Sequence, residues 1–267
     1  MSRISVKDLH FSYTPGEEIL KGMSLEFDDR TTAIIGQNGA GKTTFVKLLK
    51  GLLKPSSGEV FINSINTKDS TAARLAKHIG LVFQNPNDQI FKNKVMDEVM
   101  FGPLNIGMNK EKARKNSEEA LKEVGLLDEV DENPYDLGLS ERKLISIASI
   151  LAMDTDIIIF DEPTIAQDYS GKEKIKAIIK NLKSKGKLVI TIIHDMDFVA
   201  ETFERTIVFN DGIVLLDGST REVYSQADTL RKAFLEPPHV TQLCQKLGFK
   251  DIFLTVEEFI EYKRNLN

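Results

Sequence analysis

The chain has 267 residues, 41% of them hydrophobic, enough for one good core and a small second one on the usual scale of about 100–200 residues per domain. Its 35 Lys and Arg against 40 Asp and Glu leave a net charge of −5, which supplies no electrostatic pull toward nucleic acid or anionic lipid. The one cysteine, Cys244, has no internal disulfide partner, and the opening Met1-Ser2-Arg3-Ile4-Ser5-Val6 lacks a secretory apolar core; no apolar run approaches the roughly 20 residues of a membrane span, so the expectation is a cytosolic protein that borrows any spans from partners.

Alternating segments from Ile4 to Phe11 and from Met23 to Phe27 predict strands, and Thr32-Ala33-Ile34-Ile35 predicts a buried strand entering a glycine-rich turn. Phe45, Val46, Leu48, Leu49 and Leu52 then recur at helical spacing until Lys54-Pro55-Ser56-Ser57-Gly58 makes a turn. From about Asn85 to Met153 the composition is polar and charged, with helix-forming stretches such as Lys110 to Val124, which reads as a helical insert. Strands return at Asp156 to Phe160 and Lys187 to Ile193 around a helix from Gly171 to Lys183, a β-α-β unit that implies parallel strands. Thr206 to Phe209 and Ile213 to Leu216 flank Asn210-Asp211-Gly212, a hairpin turn, and beyond Gly218 the chain reads as mostly helical.

The run Gly36-Gln37-Asn38-Gly39-Ala40-Gly41-Lys42-Thr43, followed by Thr44, satisfies the full phosphate-loop pattern in the strand-loop-helix setting that the pattern needs. Its glycines let successive N–H groups and the helix start face phosphates, Lys42 adds a fixed positive charge, and Thr43 offers a hydroxyl to Mg²⁺. An ordinary glycine-rich connection mimics parts of this pattern and rarely all of it, so the chain is expected to bind nucleotide.

Ile157-Ile158-Ile159-Phe160 delivers Asp161 and Glu162 at the C-terminal end of a buried strand, where ligands of parallel α/β sheets gather. Adjacent strand residues point opposite ways, so Asp161 can hold a metal while Glu162 is aimed at an attacking water. Alone, such a pair is more often a solvated turn; the phosphate loop upstream reverses that reading. His194 ends the second apolar strand and is one of four histidines, placed to reach a γ-phosphate from the same sheet edge.

These residues resemble the ABC ATPase family, and the resemblance runs from about Ile4 to Gly218. Ile159-Phe160-Asp161-Glu162-Pro163-Thr164 resembles the Walker B strand with its catalytic Glu, Ile165-Ala166-Gln167-Asp168 the D-loop, and Ile193-His194-Asp195 the switch histidine. The resemblance implies that Glu162 is the hydrolytic base, that His194 senses the γ-phosphate, that Tyr13 stacks on adenine, and that Gln84 in Val82-Phe83-Gln84-Asn85-Pro86 is the Q-loop residue touching Mg²⁺ and water. As a bare aromatic, Tyr13 would more often be core packing. The implied fold is an α/β P-loop NTPase of ABC type: a RecA-like parallel-sheet core, an N-terminal antiparallel β subdomain, an inserted α-helical subdomain and a mainly helical C-terminal extension. The expected division is an ATPase domain over 1–217, with the insert at about 87–153, and an extension over 218–267.

One motif departs from the family. Where it has Leu-Ser-Gly-Gly-Gln, this chain reads Leu137-Gly138-Leu139-Ser140-Glu141, just ahead of Arg142-Lys143. That signature caps the γ-phosphate held by the opposite subunit of a head-to-tail dimer, so Leu139 in place of a glycine, a displaced Ser140 and an acidic Glu141 are expected to repel phosphate. The other reading is that Ser140 rearranges to serve the same end.

Phe83 to Phe91 and Leu235 to Leu243 resemble the ATPases of energy-coupling factor importers, which take up vitamins or transition-metal ions. The resemblance implies ATP and Mg²⁺ as cofactors and a second, nonidentical ATPase subunit. In the family that pair is often but not always nonidentical, and these residues do not choose between a second gene product and a copy of this chain. The resemblance also implies a transmembrane coupling protein and a small substrate-binding membrane protein, with the chain peripheral at the cytoplasmic membrane face and no nucleic acid. Gln89 would lie near the inter-subunit or coupling surface. Specificity in such a system sits in the membrane partner, so these residues do not choose the solute, and Tyr13 would stack on any purine. An ABC ATPase acting on nucleic acid or the ribosome fits the net charge poorly, and a low-turnover regulator fits the intact Glu162 poorly.

Overall fold

The computed structural model describes residues 3–249 and 251–265; residues 1, 2, 250, 266 and 267, which include the outer bounds of the expected division, lie outside the described residues. The chain begins with β1 (Ile4–Ser12), β2 (Glu18–Phe27) and β3 (Thr32–Ile35), and α1 (Lys42–Leu49) follows the glycine loop. Next come β4 (Ser57–Ile62), β5 (Ile65–Asn66), α2 (Ala72–Leu75) and β6 (Ile79–Val82). A run of helices fills the expected insert: α3 (Val95–Asn105), α4 (Lys110–Val124) and α5 (Leu139–Leu151). Strand and helix then alternate through β7 (Ile157–Asp161), α6 (Tyr169–Ser184), β8 (Leu188–Ile192), α7 (Met196–Thr202), β9 (Arg205–Asn210) and β10 (Ile213–Ser219). The chain continues with α8 (Thr220–Ser225), α9 (Ala227–Lys232), α10 (His239–Lys246) and α11 (Val256–Asn265).

Two sheets form. The larger has the order β10-β9-β3-β8-β7-β6, parallel from β9 to β6, with β10 added antiparallel to β9. The smaller, β2-β1-β4-β5, is antiparallel throughout. The parallel strands are apolar on both faces because both faces are covered. Ile157 and Ile159 of β7 and Ile34 of β3 face one core, shared with Phe45 and Leu48 of α1 and with the antiparallel sheet. Ile158, Phe160, Ala33 and Ile35 face the other, shared with Val99 of α3, Leu121 of α4 and Ile147 of α5. The period of two is therefore present inside runs that look uniformly hydrophobic.

The helices of the insert share this second core with the sheet, as do Val223, Tyr224 and Leu230 of α8 and α9. A separate small cluster forms around Val240, Cys244 and Phe253, with Phe249, Phe259 and Tyr262 against it. Strand β10 also passes the expected boundary at Gly218, since Gly218 pairs with Thr206 and Ser219 with Arg205. Asp217-Gly218-Ser219 carries no apolar alternation, so only the partner strand reveals the pairing.

Strands β4, β5 and β6 were not legible in the sequence. The segment expected to be a turn through Gly58 is already the start of β4. Gly58 sits at φ +77°, and a Cβ there would meet Asp8 O at 2.0 Å, so a glycine lets β4 close on the bulge in β1. The hairpin expected at Asn210-Asp211-Gly212 forms with Asp211 at φ +47° and Gly212 at +79°, the positive angles of a tight turn.

Arg205 ties the two sheets together. Its Nε and Nη2 donate to the Asp217 carboxylate at 2.7 and 2.6 Å, and its Nη1 donates to Glu26 O of β2 at 2.8 Å. Arg205 is 5% exposed, so removing its counter-charge strands a buried cation. We expect Asp217→Asn to lower the free energy of unfolding by about 2 kcal/mol, read by urea denaturation. An unchanged midpoint would show that the fork adds no stability.

Candidate functional site

The glycine loop starts where β3 ends. Gly36 takes φ +151°, and a Cβ there would lie 2.3 Å from Phe209 O of the neighbouring β9, so no side chain fits. Gly41, at φ +95°, is the N-cap of α1, and the first N–H groups of that helix open onto the loop. Lys42 Nζ donates to Gly36 O at 2.7 Å and to Gln37 O at 2.8 Å, which holds the ammonium over the loop. Burial pushes its pKa down, while the Glu162 and Asp161 carboxylates pull it back up.

Both carboxylates stand at the end of β7. Asp161 is 3% exposed, and its Oδ1 has no hydrogen-bond partner among the described residues. Burial raises the Asp161 pKa, the Thr43 hydrogen bond lowers it, and Glu162 raises it further. Glu162 N donates to Ile192 O at 3.0 Å, so the residue is still stitched to β8, but its φ of +49° turns the chain out of the strand. That left-handed conformation costs about 1–2 kcal/mol. It sets the Glu162 side chain toward His194, whose Nε2 lies 3.2 Å from Glu162 Oε1.

One cavity of about 400 Å³ is lined by Tyr13, Asn38, Gly39, Gly41, Lys42, Thr43, Thr44, Gln84 and Glu162, with Ile19. A neighbouring cavity of about 320 Å³ shares Thr43 and Gln84 and adds Asp161. Tyr13 is 59% exposed, stands edge-on to Phe11 at 4.8 Å, and brings its hydroxyl to 3.4 Å from Thr44 Oγ1. It is a presented ring rather than core packing. Gly36, Gln37 and Ala40 shape the loop without lining the cavity, and His194 joins it through Glu162.

Leu137 to Glu141 line neither of these cavities. Gly138 is the N-cap of α5, and Glu141 Oε2 accepts its N–H at 2.7 Å. The Glu141 carboxylate is thus turned back on its own helix end, where a negative charge is favoured. Ser140 Oγ donates to Gln167 Oε1 at 3.0 Å, and Gln167 Nε2 donates to Ser140 O at 3.1 Å. Leu139 is 42% exposed. Asp168 accepts from Gly171 N at 2.7 Å and caps α6. Gln89, expected near a partner surface, turns inward: it accepts from Phe83 N at 2.9 Å and donates to Ser146 O at 3.0 Å and Ser149 Oγ at 3.1 Å.

Sequence reasoning missed the reciprocal bond between Gln167 and Ser140 and the burial of Lys143, which donates to Phe83 O, Gln84 O and Asp161 O. Burial pushes the Lys143 pKa down to about 8, against the pull of Asp161 and Glu162. A lysine inside the apolar face Leu144-Ile145-Ile147 was the available signal.

A phosphate loop at the head of a parallel sheet, with a buried Asp and a following Glu two strands away, defines a nucleotide-hydrolysing cassette. Residues 20–165 match the ABC transporter family model, and the chain belongs to this family of ATPases. It is 39% identical over 251 residues to an energy-coupling factor transporter ATP-binding protein of Methanocaldococcus jannaschii, covering 93% of this chain and 90% of the relative. A second protein so named, from Caldanaerobacter subterraneus subsp. tengcongensis, is 38% identical over 277 residues, covering 97% and 98%. Among solved structures, cbiO1 from Clostridium perfringens, part of the ABC transporter complex cbiONQ, superposes with a TM-score of 0.77 at 31% identity, covering 91% of this chain and 99% of that one. A dimeric ATP-binding cassette bound to ADP and Pi superposes with a TM-score of 0.75 at 31% identity, covering 82% and 99%. The chain is thus an ABC-type ATPase with relatives of the energy-coupling factor kind. No helix among the described residues is long and apolar enough to cross a membrane.

Removing the Glu141 cap should weaken α5 at its start. Glu141→Ala is expected to cost about 1 kcal/mol in urea unfolding, with Glu141→Gln recovering most of it. Equal stability of all three proteins would remove the capping role.

Proposed function

We propose that this chain is the ATP-hydrolysing motor subunit of an energy-coupling factor importer. It would sit at the cytoplasmic face of the membrane, on a transmembrane coupling protein, and power uptake of a vitamin or metal ion captured by a small membrane protein. The observation that carries the reading is the cavity where Tyr13, the phosphate loop, Gln84 and Glu162 meet. The names of the relatives and the transporter complex of the cbiO1 neighbour support it.

In this reading the Tyr13 ring stacks on the base, Thr44 flanks it, and the N–H groups of the loop with Lys42 hold the phosphates. Thr43, Gln84 and Asp161 fit Mg²⁺ as hard oxygen donors, and the partnerless Asp161 Oδ1 is the observation in favour. Bound there, Mg²⁺ would neutralise charge on the phosphates. Glu162 accepts a proton from the attacking water as the bond to the departing ADP breaks. His194, 3.2 Å away, keeps that carboxylate oriented and faces the γ-phosphate.

Leu137 to Glu141 and Asp168 lie apart from this cavity, which suits a signature and a D-loop that complete a site on an opposing subunit. In this chain the Ser140 hydroxyl is donated to Gln167, and Gly138 N–H to Glu141. A nucleotide on the partner would find neither free, whereas this chain's own Lys42, Asp161, Glu162 and His194 are complete. The pair is therefore a heterodimer with two unequal ATPase sites, in which this chain's catalytic residues face a normal signature.

The membrane partner would meet the exposed rings that follow Gln84. Phe91 and Phe101 pack edge to face at 4.6 Å, with Lys92 Nζ 4.7 Å from the Phe101 ring and Leu104 43% exposed nearby in α3. Phe101→Asp is expected to weaken copurification with the coupling protein and leave ATP binding within about twofold, since the ring is outside the nucleotide cavity.

The decisive measurement is steady-state ATPase activity of this chain alone and mixed with a normal-signature subunit in the presence of the coupling protein. Activity only in the mixture, lost by about 10²–10⁴-fold with Glu162→Gln here while ATP is retained, is the expected result. Equal turnover by this chain alone would make Leu137 to Glu141 a functional signature and remove the unequal pair. Full turnover by the Glu162→Gln mixture would remove Glu162 from the reaction.

A further inference from the structure

Lys143 lies in the first turns of α5 and is 1% exposed. An ammonium has three donors and no acceptor, and here all three find carbonyl oxygens: Phe83 O at 2.7 Å, Gln84 O at 3.0 Å and Asp161 O at 3.1 Å. Two of these carbonyls follow β6, and the third is on the last residue of β7. The ladder between those strands ends at the pair Val82 and Phe160. Past that pair the ladder between these two strands stops, which leaves Phe83 O, Gln84 O and Asp161 O to other donors. The Lys143 ammonium takes the place of the missing ladder bonds.

Its partners are backbone rather than carboxylate, so what it holds is chain position. A buried cation is a costly way to fill space, and an apolar side chain of similar volume would cost less. Nearby side chains brace the same segment against α5. Gln89 bonds Ser146 O and Ser149 Oγ, and Arg142 Nη1 donates to Asn87 Oδ1 at 2.9 Å. Residues 83 to 89 are thus fastened to the helix whose first turn carries Gly138, Ser140 and Glu141.

We propose that Lys143 is a positioning residue that sets the distance between Gln84 and Asp161 and links it to the signature end of α5, so that movement of the signature is carried to the metal-binding edge of this chain's own nucleotide cavity. The inference rests on the reading of Gln84 and Asp161 as metal-site residues. The ammonium gives one N–H to each of the three carbonyls and meets no carboxylate among the described residues, so the role is one of geometry.

The test uses the full chain with Lys143→Met, which removes the donors at similar length, and Lys143→Gln, which keeps two. The first readout is the Mg²⁺ concentration that half-saturates the rise in melting temperature caused by a nonhydrolysable ATP analogue. The second is kcat and KM for ATP in the assembled pair. Lys143→Met should raise the half-saturating Mg²⁺ at least about threefold and lower kcat about tenfold, with analogue affinity in the absence of Mg²⁺ within about twofold. Lys143→Gln should recover part of both losses. A folded Lys143→Met protein with unchanged Mg²⁺ dependence overturns the proposal. If Lys143→Met does not fold, Lys143→Gln decides: a rise of about twofold or more in half-saturating Mg²⁺ supports it, and none overturns it. Asp161→Asn is measured in parallel. If it leaves the Mg²⁺ dependence unchanged, the metal-site reading itself fails; if it shifts while the Lys143 variants do not, only the present inference fails.

Discussion

The site depends first on the shared direction of β3, β6, β7 and β8. Parallel pairing sets Ile34 beside Ile192, Asp161 beside Ile192, and Val82 beside Phe160. Four strand ends therefore leave the sheet along one edge, carrying Gly36, Phe83-Gln84, Glu162 and His194 with them. Pairing of this kind requires crossovers long enough for helices, and those helices bury both sheet faces. Reverse one strand and its functional residue would emerge about four residues' length away, on the opposite edge.

Given that edge, the local chemistry follows from how little room each residue has. Gly36 is squeezed against Phe209 O, and Glu162 accepts a left-handed backbone that aims its carboxylate at His194. Asp161 is enclosed beside it, with one oxygen lacking a hydrogen-bond partner among the described residues. Under the added charge of Glu162, three groups then shift one another's protonation: the Asp161 carboxylate and the ammonium groups of Lys42 and Lys143. Burial opposes charge on each of them, and the opposite charges compensate in part.

Helix α5 connects this edge with the outer surface. Its N-cap carries the altered signature, its buried Lys143 grips the ends of β6 and β7, and Ser146 and Ser149 receive Gln89. The segments expected to be the signature and the Q-loop are thus held to one helix. The segment expected to be the D-loop is tied to the same helix end through Gln167 and Ser140, so three segments with separate expected roles share a single support.

The sequence by itself determined the phosphate loop, the carboxylate pair after an apolar strand, the parallel β-α-β unit and the late hairpin. In each, the chemistry is written in neighbouring residues: glycines where φ must be positive, apolar runs where two faces are covered, Asp-Gly where a tight turn is needed. Tertiary structure alone decided the rest. Short strands such as Ile79–Val82 carry too few residues to show a period, and β4 is recognisable only by its pairing with β1. The hydrogen bonds of Gln89, the Ser140 to Gln167 bond and the carbonyl partners of Lys143 depend on backbone and side chains far away along the chain, 60 residues off for Phe83 O. A hydrogen-bond partner at that distance is set by how the sheet and α5 pack, and no local pattern encodes it.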